Sequence, residues 1–389
     1  MRDALVTGAR LLREACWLAL ERAGARPGGA GIPHRAGTLD PGWLTGALQR
    51  AFPGARVRTV EALDAHAGTT DRVRLRVAYD SHGAGESPPA TVFVKLAPAD
   101  ARTRLFVNLM HLGSTEVRFY REIAATVPVA VPRAFHAAVG RGARPFVLVL
   151  EDLAARAARF ATVASRLDLD QARHVMQALA RLHAAFWDSP RLRGELAWLR
   201  SRLQNPNYRL ERFVSATAVA PGLRKFPDVV PEALRAAAPG IAAARDRLED
   251  AWARGPQTLL HGDAHVGNLY FLPDAVGFLD WQVVQRGQGM RDMSYFLINS
   301  VPTAVRRAHQ RELIEEYLAT LAAHGAEAPG AEAAWEQYRL HAFYAWIGAA
   351  VTAAAATLQA EPIARAGLAR SCTALIDLDA LAALDRLPG

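Results

Sequence analysis

The feature that most constrains this chain is a change of hydrophobic period partway along it. Between residues 56 and 151, short segments at 56–62, 72–79, 91–96, 133–139 and 145–151 alternate apolar and polar residues at strand length, with one helical pattern at 103–125 among them. Residues 81–89 are a turn-rich connection, so the second and third of these segments read as an antiparallel hairpin. From residue 168 onward the period is helical, through 169–187, 232–253, 302–324, 331–359 and 361–384. The exception is 258–281, where short apolar runs separated by polar turns predict a hairpin within an otherwise helical region. Such a pattern predicts an α+β protein of two lobes, a small antiparallel-sheet lobe followed by a large, mainly α-helical one. The expected organisation is an N-terminal helix and a linker at 24–41 within 1–49, a sheet lobe at 50–151, and a helical lobe at 152–389 that carries the catalytic loop and an acceptor-binding insertion at 189–255.

Composition narrows the class. With 51% apolar and 22% charged residues over 389 positions, the chain is neither disordered nor a disulfide framework. The 46 Lys and Arg exceed the 38 Asp and Glu, for a net charge of +8. These cations are interleaved with acids along the whole length, without the basic and aromatic interleaving of a nucleic-acid groove, so no nucleic-acid partner is expected. Cys16 and Cys372 match no metal-ligand spacing and suit a reducing, cytoplasmic setting. Residues 11–20 are interrupted by Arg13 and Glu14, which gives an amphipathic helix and no secretion signal. The uncharged stretch 342–360 is alanine-rich and carries Tyr344, Trp346, Thr352 and Gln359, the pattern of a buried helix; no membrane span is expected.

The densest polar cluster is His261-Gly-Asp-Ala-His-Val-Gly-Asn268, followed by Leu279-Asp-Trp281. Asp263, Asn268 and Asp280 are short oxygen-bearing side chains on turns beside strands, the donor type that Mg²⁺ takes alongside substrate phosphates. An Asp five residues before an Asn, with a second Asp closing the next hairpin, is the spacing of a phosphotransfer loop. The first Asp then deprotonates the acceptor hydroxyl, while the Asn and the second Asp hold the metal. Asp and Asn also serve ordinary turns, and the motif alone leaves that alternative open.

Three further segments bear on the choice. Only two of the 46 cations are lysine, Lys95 and Lys225, and Lys95 ends an apolar strand where a compact ammonium suits better than a guanidinium. Glu116 follows on the predicted helix as a partner that would hold this lysine against the phosphates of ATP. Gly68 and Thr69, in Ala67-Gly-Thr-Thr70, lie between two strands where backbone N–H groups could cover phosphates; a plain hairpin turn fits the same residues. The strand 146–150 ends at Glu151, Asp152 and Leu153, where the lobes meet in sequence and unpaired backbone groups could read an adenine edge; an ordinary buried edge strand is the competing account.

In this order, these parts resemble the aminoglycoside phosphotransferase and choline kinase-like superfamily. The segments Leu260-His-Gly-Asp-Ala-His-Val-Gly-Asn-Leu269 and Phe278-Leu-Asp-Trp-Gln282 are most similar to its ecdysteroid kinase-like and bacterial small-molecule phosphotransferase members. The resemblance covers about residues 50–300. It implies a protein-kinase-like fold that uses ATP and Mg²⁺ to phosphorylate a small-molecule hydroxyl. Asp263 would be the catalytic base, Asn268 and Asp280 the metal ligands, Lys95 the phosphate clamp and Glu116 its partner. Trp281 stands where protein kinases carry the Phe of Asp-Phe-Gly, which turns the expectation away from protein substrates. Asp292 resembles the acid that braces the catalytic loop from below. His261 and His265 lack a third zinc ligand; His261 reads as a loop-stabilising hydrogen bonder, and His265 as a residue near acceptor or phosphate.

Residues 189–255 contain 12 Lys or Arg and 7 Asp or Glu, which favours a neutral, apolar or anionic alcohol over a polycationic aminoglycoside. Trp198, Tyr208, Phe213 and Trp252 are candidate acceptor contacts that could equally be core. An antibiotic-resistance phosphotransferase and a nucleotide-binding pseudokinase are the alternative functions; the latter predicts loss of one of Lys95, Asp263, Asn268 or Asp280, and all four are present.

Overall fold

The structure, a computed structural model, describes residues 2–22, 31–33, 35–81, 83, 85–141, 144–162, 167–355 and 359–388. Parts of the expected linker (24–30 and 34), of the 81–89 connection (82 and 84) and of the 331–359 helix (356–358) lie outside the described residues. Contacts divide the chain into two compact units: residues 1–126, 131–158 and 280–283, and residues 127–130, 159–279 and 284–389.

The first unit contains α1 (Arg2–Arg22), α2 (Pro41–Leu48), β1 (Arg56–His66), β2 (Asp71–Ser81), β3 (Thr91–Leu96), α3 (Ala101–Leu109), α4 (Leu112–Glu122), β4 (Ala134–Val139) and β5 (Phe146–Glu151). Its strands form one antiparallel sheet in the order β1-β2-β3-β5-β4. Alternation decides which face each residue takes. Val92, Val94 and Leu96 of β3 join Val73 and Leu75 of β2, Val147 and Val149 of β5, and Leu44 and Leu48 of α2 in one buried core. Lys95, between two of these core residues, is thereby turned to the opposite face, on which α4 packs. Asp40 and Asp100 start α2 and α3 by accepting the N–H of Trp43 (2.8 Å) and Thr103 (2.9 Å). The extra helix α1 is fastened to this unit by Glu14 with Arg144 (2.6 Å) and Glu21 with Arg104 (3.2 Å).

The single helix expected at 103–125 is two helices. His111 adopts a left-handed backbone (φ 58°) that ends one helical path and starts another, a break that apolar spacing does not reveal.

The second unit contains β6 (Arg159–Phe160), α5 (Leu169–Ala185), α6 (Tyr208–Lys225), α7 (Glu232–Ala243), α8 (Arg245–Ala253), β7 (Thr258–Leu260), β8 (Leu269–Phe271), β9 (Val276–Phe278), β10 (Gln285–Gly287), α9 (Met290–Asn299), α10 (Thr303–Ala323), α11 (Ala331–Ala354), α12 (Glu361–Asp377) and α13 (Ala380–Asp385). A capping box of Asp168 and Gln171 opens α5. The uncharged stretch read as a buried helix is largely α11, which packs against α6, α9 and α12 and buries Tyr338, Phe343 and Trp346. No helix among the described residues is long and apolar enough to cross a membrane.

Two expectations are corrected here. The pattern at 232–253 breaks at Ala244 into α7 and α8. The expected hairpin at 258–281 is β8 with β9, whereas β7 pairs with β10, which the sequence reading placed in no strand. Together, then, a small antiparallel-sheet unit and a larger helical unit make the chain an α+β protein.

Candidate active site

One cluster of candidate residues belongs wholly to the first unit. Lys95 is 5% exposed and Glu116 fully buried. The Lys95 ammonium donates to Glu116 Oε1 at 2.8 Å and to Asp280 Oδ1 at 2.6 Å. Glu116 reaches this position because α4 approaches the sheet closely one turn earlier. A Cβ on Gly113 would lie 2.0 Å from the Phe146 ring of β5, so only glycine permits that approach. One turn later Phe119 stacks on Trp281, with ring centroids 4.0 Å apart and planes 7° from parallel. The Trp281 N–H also bonds the Glu116 carboxylate. Asp280 itself has a left-handed backbone (φ 62°), tolerable for aspartate and costly for most residues.

The electrostatics of this cluster follow from its burial. Desolvation opposes the Lys95 charge, but Asp280 and Glu116 outweigh it and hold the ammonium above its ordinary pKa. Desolvation pushes the Glu116 carboxyl up against the opposing pull of Lys95, and the Asp280 charge adds to the rise.

The other expected residues of the first unit behave differently. Gly68 and Thr69 form the β1–β2 turn; Gly68 is exposed with a negative φ, so its backbone needs no glycine, and its nearest side-chain neighbour is Arg72. The Glu151 N–H donates to the Arg133 carbonyl (2.8 Å), so it is engaged within the sheet unit and not left unpaired. Asp152 caps the short helix Leu153–Arg156 through the Ala154 N–H, and Leu153 is buried.

A second cluster belongs wholly to the second unit, on the loop between β7 and β8. Gly262 has φ 86°, the turn that sends the chain away from β7. The loop is braced by Asp292 on α9, which accepts the N–H groups of His261 (2.6 Å) and Gly262 (3.1 Å). Burial alone would raise the Asp292 pKa; a bond from His183 and the nearby positive or protonatable groups reverse this and hold it low. His261 bonds the Leu279 carbonyl through Nε2 (2.8 Å), and its Nδ1 faces the Asp263 N–H at 3.3 Å. His265 accepts the Gly267 N–H at 3.0 Å and has Nε2 3.6 Å from Asp263 Oδ2. Asn268 Nδ2 donates to the Asp263 carbonyl (2.9 Å) and carboxylate (3.1 Å).

The structure therefore brings Lys95, Glu116, Asp280 and Trp281 together in one unit, and His261, Asp263, His265, Asn268 and Asp292 in the other. Gly68, Thr69, Glu151 and Leu153 make no contact with the Lys95 cluster among the bonds described above. Sequence reading missed Gly113, Phe119 and Tyr295. The Tyr295 hydroxyl bonds Asp263, and burial together with the Asp263 charge drives its pKa well up. Its signal was its position three residues after Asp292, on the same face of α9. Gly113 and Phe119 flank Glu116 at the same spacing on α4. Of the four candidate acceptor aromatics, Trp252 is buried against His341, whereas Phe213 is 66% exposed.

Each unit carries oxygen donors of the kind a hard cation takes. In the second unit the Asn268 amide nitrogen is committed to Asp263, which leaves its oxygen as the group it can offer; in the first, Asp280 carries a carboxylate. Mg²⁺ needs few protein oxygens when phosphates and water complete its shell. Among the described residues no group of three or more His, Cys, Asp or Glu could hold a metal by itself.

The profile of the ecdysteroid kinase-like family matches residues 67–328, more than half of the chain. Among solved structures, a macrolide 2'-phosphotransferase from Brachybacterium faecium is similar at 18% identity, with 80% of this chain and 96% of that chain covered and a TM-score of 0.39. An ethanolamine kinase of Plasmodium vivax is similar at 8% identity, covering 81% of each chain, with a TM-score of 0.45. A microcompartment-associated aminopropanol kinase is similar at 14% identity, covering 89% of this chain and 99% of that one, with a TM-score of 0.41. No protein with a curated description matches this chain in sequence.

Proposed function

We propose that this chain, which belongs to the ecdysteroid kinase-like family, is a phosphotransferase that moves the terminal phosphoryl group of ATP to a hydroxyl of a small molecule. The observation that carries the reading is the buried Lys95 held by Glu116 and Asp280 at 2.8 and 2.6 Å. Glu116 and Asp280 keep this ammonium charged inside an apolar sheet unit, and a strand lysine held by a helix glutamate is the group that engages nucleotide phosphates in kinases. Glu116 fixes the ammonium from the helix side. Asp263 accepts the acceptor's proton, and Asn268 and Tyr295 orient its carboxylate through their bonds to it. Asp292 fixes the backbone of the loop that carries Asp263. Mg²⁺ would neutralise phosphate charge during transfer, with Asp280 of the Lys95 cluster as a carboxylate that would hold it. The surplus of cations at 189–255 favours a neutral, apolar or anionic alcohol as acceptor. The free cysteines, exposed Cys16 and buried Cys372, suit a reducing cytosol.

The test is ADP release by the purified protein with ATP and Mg²⁺ against a panel of alcohols, aminosugars and nucleosides. Acceptor-dependent release that Asp263→Asn lowers by about 10²–10⁴-fold is expected for a lost general base. Near-normal turnover by Asp263→Asn would overturn the assignment.

A further inference from the structure

The helical unit contains a cavity of about 420 Å³ that none of the residues discussed above occupies for catalysis. It lies between α6, α7, the start of α8 and α11. Its walls explain its existence. Ala216 and Ala220 recur one helical turn apart on α6, as do Ala238 and Ala242 on α7, and their short side chains leave the space between these helices unfilled. Gly222 seats α6 against α11, where a Cβ would lie 2.0 Å from the Ala350 carbonyl oxygen, so α6 is anchored there and cannot close the gap by sliding. The space is a cleft open to solvent, with Ala216, Ala220, Pro239 and Ala242 of its walls exposed. A cavity of this size falls in the range of small-molecule sites.

The chemistry of the lining selects the occupant. Apart from Ser215, its uncharged wall residues are apolar, with Val219, Leu223, Ile241 and Trp346 as the larger ones. Four arginines line it and no Asp or Glu does. Three of the four are already matched: Arg212 with Asp246, Arg235 with Glu232 and Arg245 with Glu249. Arg224 is exposed and takes part in no ion pair among the described residues. From Arg212 to Arg224 the α6 wall runs about 18 Å, at the 1.5 Å rise of a helix. An apolar cleft along α6 with an unmatched guanidinium near the C-terminal end of that helix is complementary to an apolar molecule that ends in an anion.

We propose that this cavity is a binding site for an anionic amphipath, its apolar body lying along the alanine walls of α6 and α7 and its carboxylate-type head paired with Arg224. The cleft is lined largely by the 189–255 insertion, and binding there is measured without nucleotide, so its failure leaves the phosphotransferase reading standing. Calorimetric titration of the full chain, without nucleotide, with dodecanoate and with dodecanol tests it. Dodecanoate is expected to bind at least about tenfold more tightly, the scale of one charge-assisted hydrogen bond. Arg224→Gln, a surface change, removes that difference, and Ala216→Phe, which fills the slot, weakens both ligands. Absence of binding, equal affinity for the two, a preference that survives Arg224→Gln, or unchanged binding by a folded Ala216→Phe overturns the proposal. Should Ala216→Phe fail to fold, Arg224→Gln alone decides it.

Discussion

Lys95 sits 2.6 Å from Asp280 and 2.8 Å from Glu116 with 5% of its surface exposed, a space sized for an ammonium. A guanidinium is planar and larger, so Lys95→Arg must displace α4 or the 280–283 segment to fit. That change is expected to cost about 1–3 kcal/mol of stability, as overpacking does. It should also weaken ATP binding in a calorimetric titration; a variant of full stability and affinity would show that the ammonium's size is immaterial. The scarcity of lysine, two in a chain with 44 arginines, made this residue visible in the sequence. The oxygen donors were visible for a different reason, because Asp263 and Asn268 are close in sequence and meet on one short loop. Tyr295 and Gly113 were not, since a tyrosine or glycine on a helix takes its meaning from what packs against it.

At the level of elements, α4 carries the arrangement. Gly113, Glu116 and Phe119 follow at three-residue spacing, so one face meets Phe146, Lys95 and Trp281 in turn. Gly113→Ala places a methyl group into the Phe146 ring and is expected to destabilise the protein by about 1–3 kcal/mol. Phe146→Leu in the same chain should recover part of that loss, because the clash is with the ring. Denaturant midpoints of the two single variants and the double variant check this, and strictly additive losses would count against the close approach. Element types were legible from period, yet boundaries set by single backbone angles were not: His111 divides 103–125, and Asp379 (φ 45°) separates α12 from α13. The pairing of β7 with β10 was also hidden, since a three-residue apolar run does not specify its partner.

For the whole molecule, buried titratable groups set an acid limit. His341 is buried beside Gln288, to which its Nε2 bonds at 2.8 Å, and desolvation with the nearby Arg291 charge lowers its pKa from 6.5 to about 3. Between those values the unfolded chain binds a proton that the folded chain does not, so this group's contribution is intact above pH 6.5 and is lost as pH falls towards 3. Asp292, held below its ordinary 3.8, acts in the same direction at lower pH, its contribution fading as pH falls through the folded value. The His341 contribution should therefore fall from pH 7 to pH 4, against the opposite contribution of Glu116, whose raised carboxyl takes up its proton first in the folded chain; relative to the wild type, His341→Phe should remove an acid-side loss of up to about 1.4 kcal/mol per pH unit. An unaltered slope in that variant would remove His341 from the account. The two-unit α+β organisation was legible in outline because a change of period survives averaging over many residues. The role of α1 was not, since Glu14 and Glu21 meet Arg144 and Arg104 only in the folded unit.

The measurement that bears most directly on the account is the Mg²⁺ dependence of ATP binding by the wild-type chain and by Asp280→Asn. Binding at least about tenfold tighter with Mg²⁺ than with a chelator, about 1.4 kcal/mol, is expected for the wild type, with most of that difference gone in Asp280→Asn. Wild-type binding indifferent to Mg²⁺, no ATP binding at all, or an undiminished Mg²⁺ effect in Asp280→Asn would contradict it.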